Sequence, residues 1–254
     1  MKKMIFLTLF FFGCLLVNGQ NYSRNANIFN IEMVYVAGGT YAMGCTGEQG
    51  DCDENERPAH RVTISSFYIG KCEVTQAQWR AVMGSNPSSF QGDNLPVEQV
   101  SWDDAQEFIR RLNAQTGRQY RLPTEAEWEF AARGGNNSKG YRFSGSNAFS
   151  TVAWYENNSD YRTHPVGTKL PNELGIYDMS GNVHEWCSDY YDEYEYSNSY
   201  TQTDPKGPMA DYYHVFRGGG WDVGSRHARV SHRSCFPYDY SSDFIGFRLA
   251  SGSR

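Results

Sequence analysis

The stretch from Asp178 to Glu185 is the part of the chain best suited to a hard cation. Its two carboxylates, Asp178 and Glu185, bracket the backbone carbonyls of Gly181 and Val183. Oxygen ligands on a tight glycine turn suit Ca2+. Asp178, the Gly181 carbonyl, the Val183 carbonyl and Glu185 are the candidate oxygen ligands this phrase offers. The competing account is an Asx-turn held by Asp178 alone. Three glutamates, Glu125, Glu127 and Glu129, crowd another stretch. Negative charge favours a helix N-terminus, and this explains them without acid–base chemistry. No two cysteines show zinc-site spacing, and no catalytic set is assigned.

These groups need elements to hold them. Thr75 with Gln78, Ser101 and Thr124 with Glu127 mark three helix starts. Gly84, Gly117 and Gly134 mark the stops. Trp102, Ala105, Phe108, Ile109 and Leu112 share a face of the second helix. Residues 31–44 read as a hairpin turning at Gly38-Gly39. Arg61–Ile69 reads as one strand with Val62, Ile64 and Phe67 inward. After Gly134 the helical signals stop, and the chain is rich in Gly, Asn, Ser, Tyr and Asp. So much irregular chain implies function or bound ions. The tyrosine-rich stretch 190–200 reads as a surface loop.

The N-terminus carries Lys2 and Lys3 before an apolar run from Met4 to Val17. The run is shorter than the roughly 20 residues a bilayer span needs and fits a secretory signal. The expected organisation is a signal peptide at 1–19, an extension at 20–30 and one domain at 31–254. A lipoprotein anchored at Cys14 is the lesser alternative, because Phe11-Phe12-Gly13-Cys14 is a poor lipobox. The expected location is periplasmic, cell-surface or secreted. Export permits disulfides. Cys45 and Cys52 flank a Gly- and acid-rich loop and form the candidate pair, leaving Cys72, Cys187 and Cys235 with at least one unpaired. No second apolar stretch offers a membrane span. The net charge of −6 argues against nucleic acid as a partner, since phosphate neutralisation dominates that binding.

Several phrases, in order, resemble the formylglycine-generating enzyme, or sulfatase-modifying factor, family. They include Met33-Val-Tyr-Val-Ala-Gly-Gly-Thr-Tyr-Ala-Met-Gly44, Arg121-Leu-Pro-Thr-Glu-Ala-Glu-Trp128, Gly175-Ile-Tyr-Asp-Met-Ser-Gly-Asn-Val-His-Glu-Trp186, Arg217-Gly-Gly-Gly-Trp221 and Gly246-Phe-Arg-Leu249. The resemblance runs from about Met33 to Ala250. It implies an α+β fold related to C-type lectins, loop-rich, with few short helices and small antiparallel sheets. It also implies the calcium site at Asp178–Glu185, with a looser second site near Asn158 and Asp160. The family's namesakes oxidise a sulfatase cysteine with copper held by two cysteines. Copper(I) favours such thiolates. Here those positions fall on Val223 and near Ser225 or Arg226, and the family's serine is Gly220. Copper and formylglycine-generating activity are therefore not expected. A related iron-dependent branch would need H-x3-H-x-E spacing, which the six histidines lack.

Between family-like Arg217–Trp221 and Gly246–Arg248, residues 222–245 contain no Lys, Glu, Gln, Met or Trp. About four would be expected at ordinary usage. Every residue type present can be written by a codon ending in a pyrimidine, as when adenines of Asn codons are replaced at random. That pattern resembles a variable protein of a diversity-generating retroelement, whose rewritten residues form a binding face. Aromatic contact area with Ser and Asp suits a paratope. The expected ligand-binding residues in segment 221–245 are Trp221, Asp222, Val223, Ser225, His227, His232, Ser234, Phe236, Tyr238, Asp239, Tyr240, Ser242 and Phe244. The ligand is expected to be a protein or a glycan. Trp221, Arg229, Arg233 and Arg248 are expected to serve the frame. The alternatives are a metal-dependent oxidoreductase of the sulfatase-modifying type, separable by metal content, and an envelope-complex scaffold, separable by co-purification.

Overall fold

The computed structural model describes residues 29–198 and 201–253. The signal peptide, Cys14 and most of the extension lie outside the described residues. The first strands are β1 (Met33–Val36), β2 (Gly39–Met43), β3 (His60–Ile64) and β4 (Phe67–Gly70). They do not form the expected 31–44 hairpin. β1 pairs with β4 and β2 with β3, both antiparallel, so 33–43 is one arm of a ribbon and 60–70 the other. Val36 lies opposite Phe67 and Gly39 opposite Ile64, so the register is unchanged across the break. The expected 61–69 strand is split at Ser65-Ser66. There Gly38 N donates to Ser66 Oγ at 2.9 Å. A Cβ on Gly38 would stand 2.6 Å from the Ile64 carbonyl oxygen. Only glycine allows the arms to cross this closely. Val62, Ile64 and Phe67 are buried as expected.

The helices are α1 (Gln76–Met83), α2 (Trp102–Thr116), α3 (Glu125–Ala132) and the one-turn α4 (Phe149–Val152). Thr75, Ser101 and Thr124 cap the first three, each with a complete capping box. Gly84 and Gly117 end α1 and α2 in the left-handed conformation. α2 presses Ala105, Phe108, Ile109 and Leu112 into a core with Trp79, Trp186 and Phe247. α3 differs from the sequence reading, because all eight of its residues are buried. Glu125 and Glu129 are therefore not dipole-stabilising surface charges. They are counter-ions inside the protein.

The remaining strands are β5 (Tyr120–Arg121), β6 (His184–Tyr190), β7 (Gln202–Thr203), β8 (Tyr213–Arg217), β9 (Ser234–Pro237), β10 (Ile245–Gly246) and β11 (Ala250–Gly252). They complete three small sheets, ordered β1-β4-β11-β5, β10-β6-β8-β9 and β2-β3-β7. Most pairs are antiparallel, but β10–β6 and β3–β7 are parallel, a departure from the expected pattern. Among the described residues no helix is long and apolar enough to cross a membrane.

Four arginines from the end of the chain are almost wholly buried, and each meets glutamate. Arg217 donates to Glu125 and Glu129, each at 2.6 Å. Arg233 grips both oxygens of Glu125 at 2.8 Å. Arg229 holds Glu56, and Arg248 holds Glu185. Tyr196 is also fully buried, with the Arg233 guanidinium 4.2 Å from its ring centroid. The tyrosine-rich stretch thus contributes a core residue as well as surface.

Candidate functional site

Segment 221–245 leaves the end of β8, loops out, returns as β9 alongside β8, and re-enters the core at β10. Its underside is fixed by the Arg229–Glu56 and Arg233–Glu125 pairs. Phe236, in β9, stacks on Phe216 of β8 at 4.6 Å and on Tyr240 at 4.1 Å. Phe244 lies 6.1 Å from Phe236 and 6.4 Å from Tyr240. His184 of β6 meets Phe216 and Phe244 edge-on. Beside this stack, Tyr212, Tyr213 and Tyr238 are exposed and meet edge to face, with Tyr212 central at 5.4 and 5.2 Å. The Tyr212 hydroxyl donates to Asp239 Oδ1 at 3.2 Å.

The structure therefore brings together Phe236, Tyr240 and Phe244 as one group and Tyr238 and Asp239 as a second. A third group is polar. His227 Nδ1 and His232 Nε2 are 3.2 Å apart, and Asp222 Oδ1 is 3.7 Å from His184 Nε2. Burial pushes the His232 imidazole down to about 3, so it is neutral at ordinary pH.

The other expected residues play quieter parts. Trp221 Nε1 donates to the Asp243 carbonyl at 3.0 Å, which ties the two ends of the segment. The Val223 carbonyl accepts from Glu156 N. Ser242 closes a turn through its carbonyl, which accepts from Gln99 N and Ile245 N. Ser225 is exposed, Ser234 half-buried within β9, and His232 buried. Tyr212, Tyr213, Phe216, His184 and Asp53 were not among the expected site residues. Tyr213 and Phe216 lie on β8, and Tyr212 directly precedes it.

The resemblance places the family's serine at Gly220. A Cβ there would lie 2.6 Å from Asp222 Oδ1 and 3.1 Å from His184 Cδ2. Asp222 and His184 therefore occupy the space that a larger residue would need. At the positions expected to match the copper thiolates, Val223 is half-buried and Arg226 pairs with Asp53. Cys45 and Cys52 are joined in a disulfide, and Cys72, Cys187 and Cys235 are free.

The expected calcium phrase shows a mixed fit. Glu185 does not present an open carboxylate. Its Oε2 accepts from Trp128 Nε1 at 2.7 Å and Arg248 Nε at 2.6 Å, and its Oε1 accepts from Arg248 Nη2 at 2.6 Å. An arginine fork is its first partner. Asp178 is different. Its Oδ2 accepts from Gly167 N at 2.6 Å, while Oδ1 is buried without a partner. Glu73 nearby has a buried, unpartnered Oε1 as well. Burial lifts the Asp178 carboxyl to about 6 and, with the charges of Asp178 and Glu185, raises Glu73 well above the carboxylate range. Three buried carboxyls gathered around one buried arginine, Arg248, suit an added cation. Among the described residues no three His, Cys, Asp or Glu side chains stand ready for one ion. Calcium would therefore have to draw on carbonyls such as those of Gly181 and Val183. At the looser second position, Asn158 is engaged by Tyr155 N and the Ala153 carbonyl.

Comparison with known proteins agrees with this architecture. The family model for the sulfatase-modifying factor enzyme 1-like domain matches residues 20–252. A protein named chaperone LppX from Paenibacillus barcinonensis is 35% identical, covering 81% of this chain and 84% of that protein. The formylglycine-generating enzyme of Streptomyces coelicolor is 30% identical, covering 86% and 88%. The solved structure of Treponema denticola variable protein 1 superposes with a TM-score of 0.78 at 30% identity, covering 87% and 95%. The chain belongs to the formylglycine-generating-enzyme, or sulfatase-modifying factor, family.

Proposed function

We propose that this chain is an exported binding protein that holds a protein or glycan ligand on its C-terminal face, without copper-dependent thiol oxidation. The observation that carries this reading is the cluster of exposed tyrosines, Tyr212, Tyr213 and Tyr238, beside the stacked Phe236, Tyr240 and Phe244. Rigid aromatic side chains supply contact area at low entropic cost, and contiguous exposed apolar surface marks interaction sites. The likeness to a protein named a variable protein supports this reading. The residues at the family's thiolate positions, Val223 and Ser225, are poor copper(I) ligands.

The test is a ligand screen against glycan arrays and surface proteins, repeated with Tyr238→Ala and Tyr212→Ala. Retained binding in both variants would remove the face from the reading. Copper-dependent oxygen uptake on cysteine peptides would overturn it altogether. Sequencing the flanking DNA checks the diversification idea. A near-copy of codons 217–248 beside a reverse-transcriptase gene is the expected finding.

Calcium at Asp178 belongs to the same proposal, as a structural ion for the loops around β6. Asp178 Oδ1 and the Gly181 and Val183 carbonyls would hold it, with Glu185 shared with Arg248. Chelation should lower the melting temperature of wild-type protein and leave Asp178→Asn unchanged. An identical melting curve with and without chelator would rule the ion out.

A further inference from the structure

A second set of aromatic side chains lies on the sheet β1-β4-β11-β5, outside segment 221–245. Tyr35 of β1 pairs with Tyr68 of β4, Tyr68 with Ser251 of β11, and Ser251 with Tyr120 of β5. Directly paired residues share a face, so each strand adds one side chain to a single row. Three strand spacings make the row roughly 14 Å long. The alternate residues Val36, Phe67 and Ile69 enter the core on the other face. The Tyr35 and Tyr68 rings stand 5.4 Å apart, and both residues are exposed, by 52% and 38%. Gly117 ends α2 and turns the chain toward β5, which sets Arg118 and Gln119 beside the row. Arg118 Nη1 donates to the Tyr120 hydroxyl at 3.2 Å, with its guanidinium 6.0 Å from that ring's centroid.

These residues line one cleft of about 980 Å3. A concavity of this size suits a small molecule or a short oligomer. Its charge is one-sided. The chain carries a net charge of −6, yet among the described residues no Asp or Glu lines the cleft. Arg118 is its one charged side chain. A guanidinium that faces no carboxylate of its own protein is a fork for a carboxylate on a ligand. The rest of the lining sets aromatic rings beside the Ser251 hydroxyl and the Gln119 amide. A sugar ring presents the complement, with C–H faces for the electron-rich ring faces and hydroxyls for the polar side chains.

We propose that this cleft binds an acidic oligosaccharide, with sugar rings on Tyr35 and Tyr68 and a carboxylate on Arg118. Strand pairing fixes the two tyrosines, so little ordering is needed when the ligand arrives. The site is separate from the C-terminal face and from whatever that face binds.

Calorimetric titration of the purified protein tests it, with oligogalacturonate, hyaluronan fragments and oligosialic acid as acidic probes. Maltohexaose is the neutral control, and a proline-rich peptide represents the other ligand class that aromatic grooves take. At least one acidic probe should bind, and maltohexaose should bind roughly tenfold more weakly. Arg118→Gln should abolish that preference. Tyr35→Ala and Tyr68→Ala should weaken binding of every saccharide. All three side chains are exposed, so each variant should fold normally by circular dichroism. Tyr238→Ala should bind as wild type does, which separates this result from the C-terminal face. Failure of all three acidic probes would overturn the site. So would equal affinity for acidic and neutral saccharides, unchanged affinity in folded Tyr35→Ala and Tyr68→Ala, or tighter binding of the peptide.

Discussion

Glu125 accepts from two arginines at once, Arg217 and Arg233, while 5% of its side chain is exposed. Removing one partner of a buried pair leaves a charge that neither water nor protein solvates, at about 3–5 kcal/mol. Arg233→Ala and Arg248→Ala should each cost about that much in urea unfolding. Tyr238→Ala, on the surface, should stay within about 0.5 kcal/mol of wild type. A smaller effect of Arg233→Ala than of Tyr238→Ala would contradict the division between frame and face. A different residue sets a pH dependence. Asp189 is buried beside Glu125 N and Ser188 Oγ, and burial followed by the Glu125 charge lifts its carboxyl to about 7. The folded state therefore holds this proton more tightly than the unfolded chain. The Asp189 contribution is fully present below about pH 4 and is lost as pH rises through 7. Asp189→Asn should flatten that decline in a series of thermal melts between pH 4 and 8.

The elements that sequence reasoning found are those specified locally. Thr75, Ser101 and Thr124 announce their helices because a capping side chain answers a backbone need within three residues. Ser101→Ala should lower stability by about 1 kcal/mol, measured by thermal melting. What sequence reasoning missed is set by distant partners. Most of β6, and β8 beyond the exposed Tyr213, is buried on both faces, so these strands lack the alternation that marks a half-exposed strand. The ribbon looked like a hairpin because Gly38-Gly39 resembles a turn. It is a crossing point only because Ser65-Ser66 lies opposite. α3 resembled a charged surface helix until the arginines that neutralise it arrived from the far end of the chain. The proposed ligand face drew its signal from composition, through the rewritten-looking segment. Its partners on β6 and β8 gave no such signal, since they lie outside that segment and are brought in by pairing.

At the scale of the molecule, the Cys45–Cys52 link restrains the loop that carries Glu56 to Arg229, whose Nη1 is 3.3 Å from Cys52 Sγ. Closing so short a loop contributes about 2 kcal/mol by the chain-entropy estimate. A Cys45→Ser/Cys52→Ser variant should lose about that much, and an unchanged urea midpoint would show the link to be dispensable. The buried ion pairs have a broader consequence. Arg217, Arg229, Arg233 and Arg248 all follow the exposed stretch around Tyr194 and Met209, while Glu56, Glu125, Glu129 and Glu185 all precede it. A single cut by a protease in that stretch would thus divide every one of these pairs between two polypeptides. The smaller piece would bring only the cations and the larger only the anions, so each is an incomplete half that the other completes. A nicked sample should run as two bands in denaturing gels yet elute as one species in gel filtration. The two halves, expressed separately, should reassemble on mixing.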